Sequence, residues 1–270
     1  MKKLTWSLIC SCLAFTQLSF AEDFFAHELI DSNYPNHTIE LLMAKPKDQT
    51  YQVILFLHGG NDAGLKSISL PHLSHWVEKG YAVAAISMPG FGQSSGDRDF
   101  CGPFTIDSLN QAIDRIKDEL EVSRLAVIGF GQGGMAATLL SAYRNDLIGI
   151  ICANGGYDLF VHKTEEDNLF NALKKKGYKL DFDSDEDLTF RSPICHVSEI
   201  SAPVFILHRN GNPLVSENEV IDFHHAMRKA GKECRVVLKD KMVGDDDMKL
   251  SYDEILSASE SWLDGLMQQE

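Results

Sequence analysis

The sequence lacks several features that would place it in other protein classes. After residue 21 it has no apolar run approaching the 18 residues that a membrane span needs, and no low-complexity linker. Basic residues are few, with 25 Lys and Arg against 39 Asp and Glu and a formal net charge of −14. Phosphate backbones and anionic lipid surfaces repel such a chain. We therefore expect no nucleic-acid partner, and no membrane span once an N-terminal signal is removed.

The first 21 residues have the pattern of a secretory signal. Two lysines precede a mostly apolar run that continues to Phe20, and Ser19-Phe20-Ala21 is a small-x-small cleavage site. Cys12 weakly suggests lipid attachment, but the continuing apolar run favours simple cleavage. The sequence thus predicts a signal peptide at 1–21 and a single mature domain at 22–270, located in the periplasm or secreted.

Cysteine is scarce in the mature chain, and export would permit disulfides. Four cysteines remain after cleavage and leave three full pairings open: Cys101, Cys152, Cys195 and Cys234. Cys152 and Cys234 fall inside predicted strands, where small buried hydrophobic residues are expected. The loop residues Cys101 and Cys195 are therefore the pair to test.

Apolar strands alternate with amphipathic helices along the chain, which predicts a mostly parallel sheet covered on both faces. Parallel strands are predicted at 52–57, 82–88, 125–128, 148–153, 204–207 and 235–238, and the stretch 38–44 adds leading antiparallel structure. Helices are predicted at 67–79, 106–121, 132–143, 215–230 and 252–267. The more polar stretch 158–192, with a helix at 168–176, is predicted to be a small lid after strand 148–153.

A glycine-rich turn joins the predicted strand 125–128 to the helix at 132–143. Residues 127–135 read Val-Ile-Gly-Phe-Gly-Gln-Gly-Gly-Met, which matches the Gly-x-Ser-x-Gly elbow except that Gly131 replaces the serine. Glycine adopts such a strained turn easily but has no atom that can attack a carbonyl. The backbone N–H of Gln132 would face an oxyanion. A phosphate-binding turn is the alternative, but the Gly-x-Gly-x-x-Gly spacing and the Lys-Ser/Thr ending are missing.

The order of the motifs resembles that of the α/β-hydrolases, especially the prolyl oligopeptidase and dienelactone hydrolase branches. A strand followed by His58-Gly59-Gly60 precedes the glycine-rich loop at 89–94, the elbow, and a strand entered through Ala202-Pro203. The resemblance spans about 52–266. It implies an α/β-hydrolase fold with a mostly parallel, eight-stranded-type sheet, helices on both faces and a small lid.

The resemblance also implies a role for each site position. Gly60 or Asn61 would donate a second oxyanion N–H. Asn212 stands where relatives carry the aspartate that orients the catalytic histidine, and Val243 stands at the histidine position by ungapped counting. No histidine follows His225. All three triad positions, Gly131, Asn212 and Val243, are therefore changed, a loss that costs a working hydrolase roughly 10⁶ in turnover.

Displaced catalytic residues are the competing hypothesis. Ser94, Ser95, Cys152 and Asp158 could lie near the mouth of the site, although each also suits a structural place in a turn, core strand or helix cap.

No pair of residues in the sequence has the spacing of a metal site. The neighbours His224 and His225 would point about 100° apart on a helix and so would not share a metal. The acidic run 181–187 lacks the glycine and glutamate of a calcium loop. We expect no metal and no cofactor.

Three functions remain open. The first is an exported pseudohydrolase that binds a small acyl, ester or peptide ligand in a pocket bordered by Gly60, Gln132 and the lid. The second is an active serine-type hydrolase or peptidase with displaced residues. The third is a protein-interaction module, which would show a filled pocket and an exposed apolar patch beside 181–187.

Overall fold

The computed structural model describes residues 26–31, 34–46, 52–60, 63–68, 70–163, 167–239 and 252–267. The strands in these ranges are β1 (Ala26–Asp31), β2 (Thr38–Ala44), β3 (Val53–Leu57), β4 (Ala82–Ser87), β5 (Leu125–Phe130), β6 (Leu147–Ala153), β7 (Val204–Arg209) and β8 (Cys234–Lys239). The helices are α1 (Leu70–Glu78), α2 (Pro103–Leu120), α3 (Gln132–Tyr143), α4 (Asn168–Lys175), α5 (Asp185–Arg191), α6 (Glu217–Lys229) and α7 (Tyr252–Met267).

All eight strands join one sheet in the order β1-β2-β4-β3-β5-β6-β7-β8. β1 and β2 pair antiparallel with each other, and β2 pairs antiparallel with β4. From β4 through β3 to β8 every pairing is parallel. This confirms the predicted α/β-hydrolase fold class. Because the parallel strands end at one edge of the sheet, the loops that follow β3, β5, β6 and β7 meet there, where open α/β sheets place their ligands.

Both faces of the sheet are buried, so its central strands are apolar at nearly every position. One face packs Leu55, Val127 and Ile150 against a cluster that includes residues of α2, α3 and α6. The opposite face packs Ile54 and Ile151 in a second cluster with side chains of α1 and α7. Two clusters on opposite faces hold the strand ends, and hence the turns that follow them, in fixed relative positions.

The predicted helices 132–143 and 252–267 have the observed bounds, whereas α2 begins three residues earlier than predicted. Pro103 begins α2, where the missing proline N–H costs nothing. β1 was not predicted, because its sequence Ala-His-Glu-Leu-Ile-Asp shows no clear alternation and depends on pairing with β2. None of the helices in the described ranges is long and apolar enough to cross a membrane.

The suggested disulfide between Cys101 and Cys195 is wrong. All four cysteines after residue 21 are free thiols, with Cys101 and Cys152 buried and Cys195 exposed. The thiol of Cys101 contacts the backbone oxygen of Gln132 at 3.4 Å, beneath the elbow helix. Cys101 therefore serves as a buried packing residue of this turn.

Candidate functional site

The turn between β5 and α3 has the geometry of a nucleophile elbow. Gly131 lies at φ 51° and ψ −114°, a conformation that favours glycine. Its N–H donates to the backbone oxygen of Ala153 at 2.7 Å, and its carbonyl accepts from Gly134 and Met135 at 3.0 and 3.1 Å. These bonds fix position 131 between the end of β6 and the first turn of α3.

Close backbone packing around the elbow requires the flanking glycines. A Cβ on Gly129 would stand 2.3 Å from the carbonyl oxygen of Gly133, and a Cβ on Gly133 would stand 2.4 Å from that of Leu57. A Cβ on Gly134 would meet the sulfur of Cys152 at 2.4 Å. These distances are far shorter than van der Waals contact, so α3 can lie this close to the strands only with glycine at all three positions.

Position 131 itself has room for a side chain. A Cβ built on Gly131 has one neighbour within 4 Å, the Cα of Gly59 at 3.9 Å. Gly131 is also half-buried, in contrast to the buried residues that follow it in α3. Among the described residues, no other atom lies within 4 Å of the place where a nucleophile would project, yet glycine has no nucleophilic side chain to put there.

The loop after β3 lies beside the elbow, as the oxyanion loop of a hydrolase does. A Cβ on Gly60 would be 3.8 Å from the side-chain oxygen of Gln132. Gln132 is the first residue of α3, where N–H groups have no intrahelical acceptor. The structure thus brings Gly60 and Gln132 together, whereas Asn61 lies outside the described residues.

Two residues that the sequence did not single out, Lys176 and Tyr178, reach this loop from the stretch 158–192. The Tyr178 hydroxyl donates to the Gln132 side-chain oxygen at 2.9 Å, and the Lys176 ammonium donates to the Gly60 carbonyl at 3.0 Å. Tyr178 is buried, with its ring edge-on to Phe100 at 5.5 Å. No local motif marks either residue, because their position depends on the path of the whole stretch between β6 and β7.

Asn212 uses its side chain locally. Its Oδ1 accepts from the N–H groups of Leu214 and Val215, at 2.9 and 3.3 Å, and so shapes the turn that leads from β7 into α6. Val243 lies outside the described residues.

Two buried histidines near the strand ends have lowered pKa values. The Nε2 of His58 accepts from the Met88 N–H at 2.9 Å, while its Nδ1 donates to the Gly59 carbonyl at 2.6 Å. Burial lowers the pKa of His58 to about 4. His208 in β7 is buried with no hydrogen-bond partner among the described residues, and burial lowers its pKa as well. Neither ring lies within 4 Å of a Cβ built on Gly131.

The serines offered as displaced nucleophiles have structural partners. The Ser94 hydroxyl is buried, donates to the Ser87 carbonyl at 2.6 Å and accepts from the Glu40 N–H at 2.8 Å. The Ser95 hydroxyl accepts from the Thr38 N–H at 2.8 Å. Both serines tie the loop after β4 to the neighbouring strand β2.

Cys152 and Asp158 are engaged in a similar way. The Tyr157 hydroxyl donates to the Cys152 sulfur at 3.0 Å, and burial raises the pKa of this thiol to about 11, so it stays protonated at neutral pH. Asp158 accepts from the Phe160 N–H at 2.9 Å and caps the short 3₁₀ turn Leu159–His162. This geometry favours the structural interpretation of both residues.

The residues considered as metal ligands do not converge in the described part of the chain. No group of three or more His, Cys, Asp or Glu side chains there could hold a metal ion. In the acidic run 181–187, Ser184 caps α5 and Asp187 pairs with Arg191 at 2.8 Å. The aromatic residue of that run, Phe182, is half-buried against Phe170 at a centroid distance of 4.9 Å. This run therefore presents neither a calcium loop nor an exposed aromatic ring.

Comparison with known proteins agrees with this geometry. The family model for the α/β hydrolase fold matches residues 52–185. The uncharacterized peptidase YuxL of Bacillus subtilis (strain 168) is 25% identical over 199 residues, which cover 70% of this chain and 30% of YuxL. The uncharacterized peptidase YtmA of the same organism is 24% identical over 185 residues, which cover 65% of this chain and 69% of YtmA.

Solved structures show the same fold at lower identity. The acylaminoacyl peptidase of Pyrococcus horikoshii aligns with a TM-score of 0.68 at 17% identity, covering 84% of this chain and 39% of the peptidase. The esterase Pf2001 of Pyrococcus furiosus aligns with a TM-score of 0.68 at 16% identity, covering 98% of this chain and 96% of the esterase. The chain thus spans under half of YuxL and of the archaeal peptidase, but nearly the whole esterase.

Proposed function

Because this chain has the α/β-hydrolase fold and resembles serine peptidases and esterases with that fold, we propose that it is an exported pseudohydrolase. It binds a small acyl, ester or peptide ligand above Gly131 and does not hydrolyse that ligand by the Ser-His-Asp mechanism. The relatives are peptidases and esterases by name, and their substrates share an acyl group next to a nitrogen or oxygen leaving group.

One observation carries the proposal. Gly131 keeps the elbow backbone and its open surroundings but offers no nucleophilic atom. Nucleophilic catalysis needs an oxygen or sulfur, an adjacent base and a group that orients the base. The Ser94 hydroxyl and the Cys152 thiol have structural partners, and no histidine follows His225 in the sequence.

The surroundings of Gly131 support ligand binding. Gly60 and Gln132 lie together beside the elbow, and the first turn of α3 offers N–H groups that suit a carbonyl oxygen. Lys176 and Tyr178 bond to Gly60 and Gln132 and so hold the 158–192 stretch beside the elbow, where it acts as a lid. The export part of the proposal depends on the sequence pattern of residues 1–21, which lie outside the described residues.

A steric block at the elbow tests binding with small probe molecules in place of the natural ligand. We would titrate ¹⁵N-labelled mature protein with an N-acetyl amino acid, a dipeptide and a short-chain ester, and follow the amide signals of Gly60, Gly131 and Gln132. The proposal expects saturable shifts of these signals with at least one probe. Gly131→Leu should abolish the shifts, because its side chain fills the open position.

Gly231→Leu is the matched control for the steric block. Gly231 also has a positive φ, 72°, and no neighbour within 4 Å of a built Cβ, but it lies in the turn between α6 and β8. Both variants therefore strain the backbone, and only one blocks the elbow. Binding that survives in Gly131→Leu, or that is lost equally in both variants, would count against a site above Gly131.

A further inference from the structure

His162, at the start of the 158–192 stretch, lies between two carboxylates. Its Nδ1 is 2.7 Å from an oxygen of Asp167, and its Nε2 is 3.2 Å from an oxygen of Glu219. Asp167 caps α4 within the same stretch, whereas Glu219 is in the first turn of α6, in the body of the domain. One imidazole therefore links the lid to the body.

Glu219 also holds the base of the lid through the backbone. Its Oε1 accepts from the N–H groups of Tyr157 and Asp158, at 2.5 and 3.0 Å. Only 2% of Glu219 and 5% of His162 are exposed, so water cannot readily replace these bonds. The bridge is consequently a specific, solvent-shielded joint.

Both bonds exist together only when His162 is doubly protonated. A carboxylate oxygen can only accept, and a neutral imidazole has a single N–H to donate. Burial lowers the pKa of His162, but the hydrogen bonds that its ring donates to Glu219 and Asp167 outweigh this effect, and the pKa is raised above the ordinary 6.5. The bridge is thus complete in mildly acidic solution and loses one bond when His162 releases its proton.

The bond that is lost is the one between lid and body. The contact with Asp167 is shorter, so the remaining proton stays on Nδ1 and the bond from Nε2 to Glu219 breaks. The neutral ring then keeps its partner inside the lid. The lid retains its internal capping while its attachment to α6 weakens.

Other charged groups around this joint are engaged elsewhere. From α5, Asp185 pairs with Lys163 and Asp187 pairs with Arg191. From β7, His208 lies near Glu219, and burial lowers its pKa, which disfavours a second positive charge beside that carboxylate. Asp167 and Glu219 therefore decide the charge of His162.

We propose that His162 is a pH-sensitive latch that holds the 158–192 lid over the elbow by bridging Asp167 in the lid and Glu219 on α6. The latch rests on the proposed binding role of the elbow, because it regulates access to that site. The pKa of His162 is raised in the folded state. The stability that the bridge contributes is therefore complete below pH 6.5 and is lost as the pH rises through the folded-state pKa of His162. The lid is closed in mild acid and opens more often in alkaline solution.

Hydrogen exchange of the lid helix tests the latch directly. We would measure protection factors, corrected for the intrinsic pH dependence of exchange, for amides of α4 between pH 5.5 and 9, with amides of α2 as the internal reference. His162 has one pKa when the lid is closed and a lower one when it is open. Between these two values, opening releases one proton, so the ratio of closed to open protein changes by up to ~10-fold per pH unit. We expect the protection of α4 to fall with pH at up to this slope, while that of α2 does not.

Two variants separate the latch from a general charge effect. Asp167→Asn keeps an N-cap for α4 but removes one carboxylate from His162, so protection at pH 6 should fall severalfold and its pH dependence should flatten. Asp185→Asn also removes one negative charge from the lid, but Asp185 is not a partner of His162. This variant should leave the protection of α4 at pH 6 and its pH dependence unchanged. The NMR titration of the His162 ring should shift to lower pH only in Asp167→Asn.

Flat α4 protection across the range in which His162 titrates would overturn the latch. So would an Asp167→Asn variant whose pH profile equals that of the parent. The exchange experiment uses no ligand, and the ligand titration compares Gly131→Leu with Gly231→Leu at one pH, at which the lid equilibrium acts on both variants alike. Failure of the latch and failure of the binding role are therefore distinguishable.

Discussion

The hydroxyl of Tyr178 donates a 2.9 Å hydrogen bond to the side-chain oxygen of Gln132, the first residue of the elbow helix. Tyr178 belongs to the stretch 158–192, which we propose to be a lid, and Gln132 to the turn that would carry a nucleophile, 46 residues apart in sequence. Both residues are buried. The bond therefore joins the proposed lid to the elbow helix.

The first prediction removes this bond. Tyr178→Phe leaves the ring in place but deprives the buried Gln132 oxygen of its donor, which should lower the free energy of unfolding by ~1–3 kcal/mol. Urea denaturation measures the change. Tyr143→Phe is the control, because Tyr143 is 46% exposed and its change should be within ~0.5 kcal/mol. Equal effects of the two substitutions would show that the hydroxyl of Tyr178 has no special role.

A second prediction concerns the glycines that let α3 approach the sheet. Gly129→Ala places a Cβ 2.3 Å from a backbone oxygen, so it should destabilise the fold by more than ~3 kcal/mol or prevent folding. Gly265→Ala in α7 meets nothing within 4 Å and should stabilise by ~0.5–1 kcal/mol through helix propensity. Thermal unfolding of the two proteins should therefore shift in opposite directions. A tolerated alanine at 129 would contradict the close packing described.

The fold could be predicted well from the sequence, because the patterns that define strands and helices are local and periodic. Apolar strand runs and the alternating helices predicted every strand except β1, whose residues are defined by pairing with β2. The glycine pattern predicted a turn at Gly131. Tyr178, Lys176 and the His162 bridge could not be predicted, because each depends on where a polar stretch folds back in space. The disulfide suggestion failed for the same reason, since strand and loop assignments do not give the distance between two cysteines.

A third prediction follows from the free space above the elbow. Gly131→Ser should fold, because among the described residues its Cβ meets only Gly59 at 3.9 Å, but should lose ~1–3 kcal/mol through the positive φ. It should not hydrolyse activated esters above the rate of the parent, because no histidine follows His225 in the sequence and no described side chain lies beside the new hydroxyl as a base. Urea denaturation and an ester assay measure the two effects. Efficient turnover by this single variant would mean that a functional base is already in place.

A fourth prediction concerns His58. Its folded pKa, about 4, lies below the ordinary 6.5, so the unfolded chain binds the extra proton between these values. The stability that His58 contributes is complete above pH 6.5 and is lost as the pH falls toward 4. NMR titration should show the His58 ring neutral at pH 5.5, with Nδ1 protonated. A midpoint near 6.5 would contradict the buried, neutral ring that joins the ends of β3 and β4.

The most direct test of the central claim is intact-mass analysis of the mature protein after incubation with a serine-reactive fluorophosphonate, paired with turnover of short-chain p-nitrophenyl esters. A pseudohydrolase with glycine at the elbow should show no stoichiometric adduct and no saturable turnover above the buffer rate. An adduct at one serine, together with turnover that the same reagent abolishes, would contradict the account. It would show that a nucleophile outside position 131 performs the chemistry of the family.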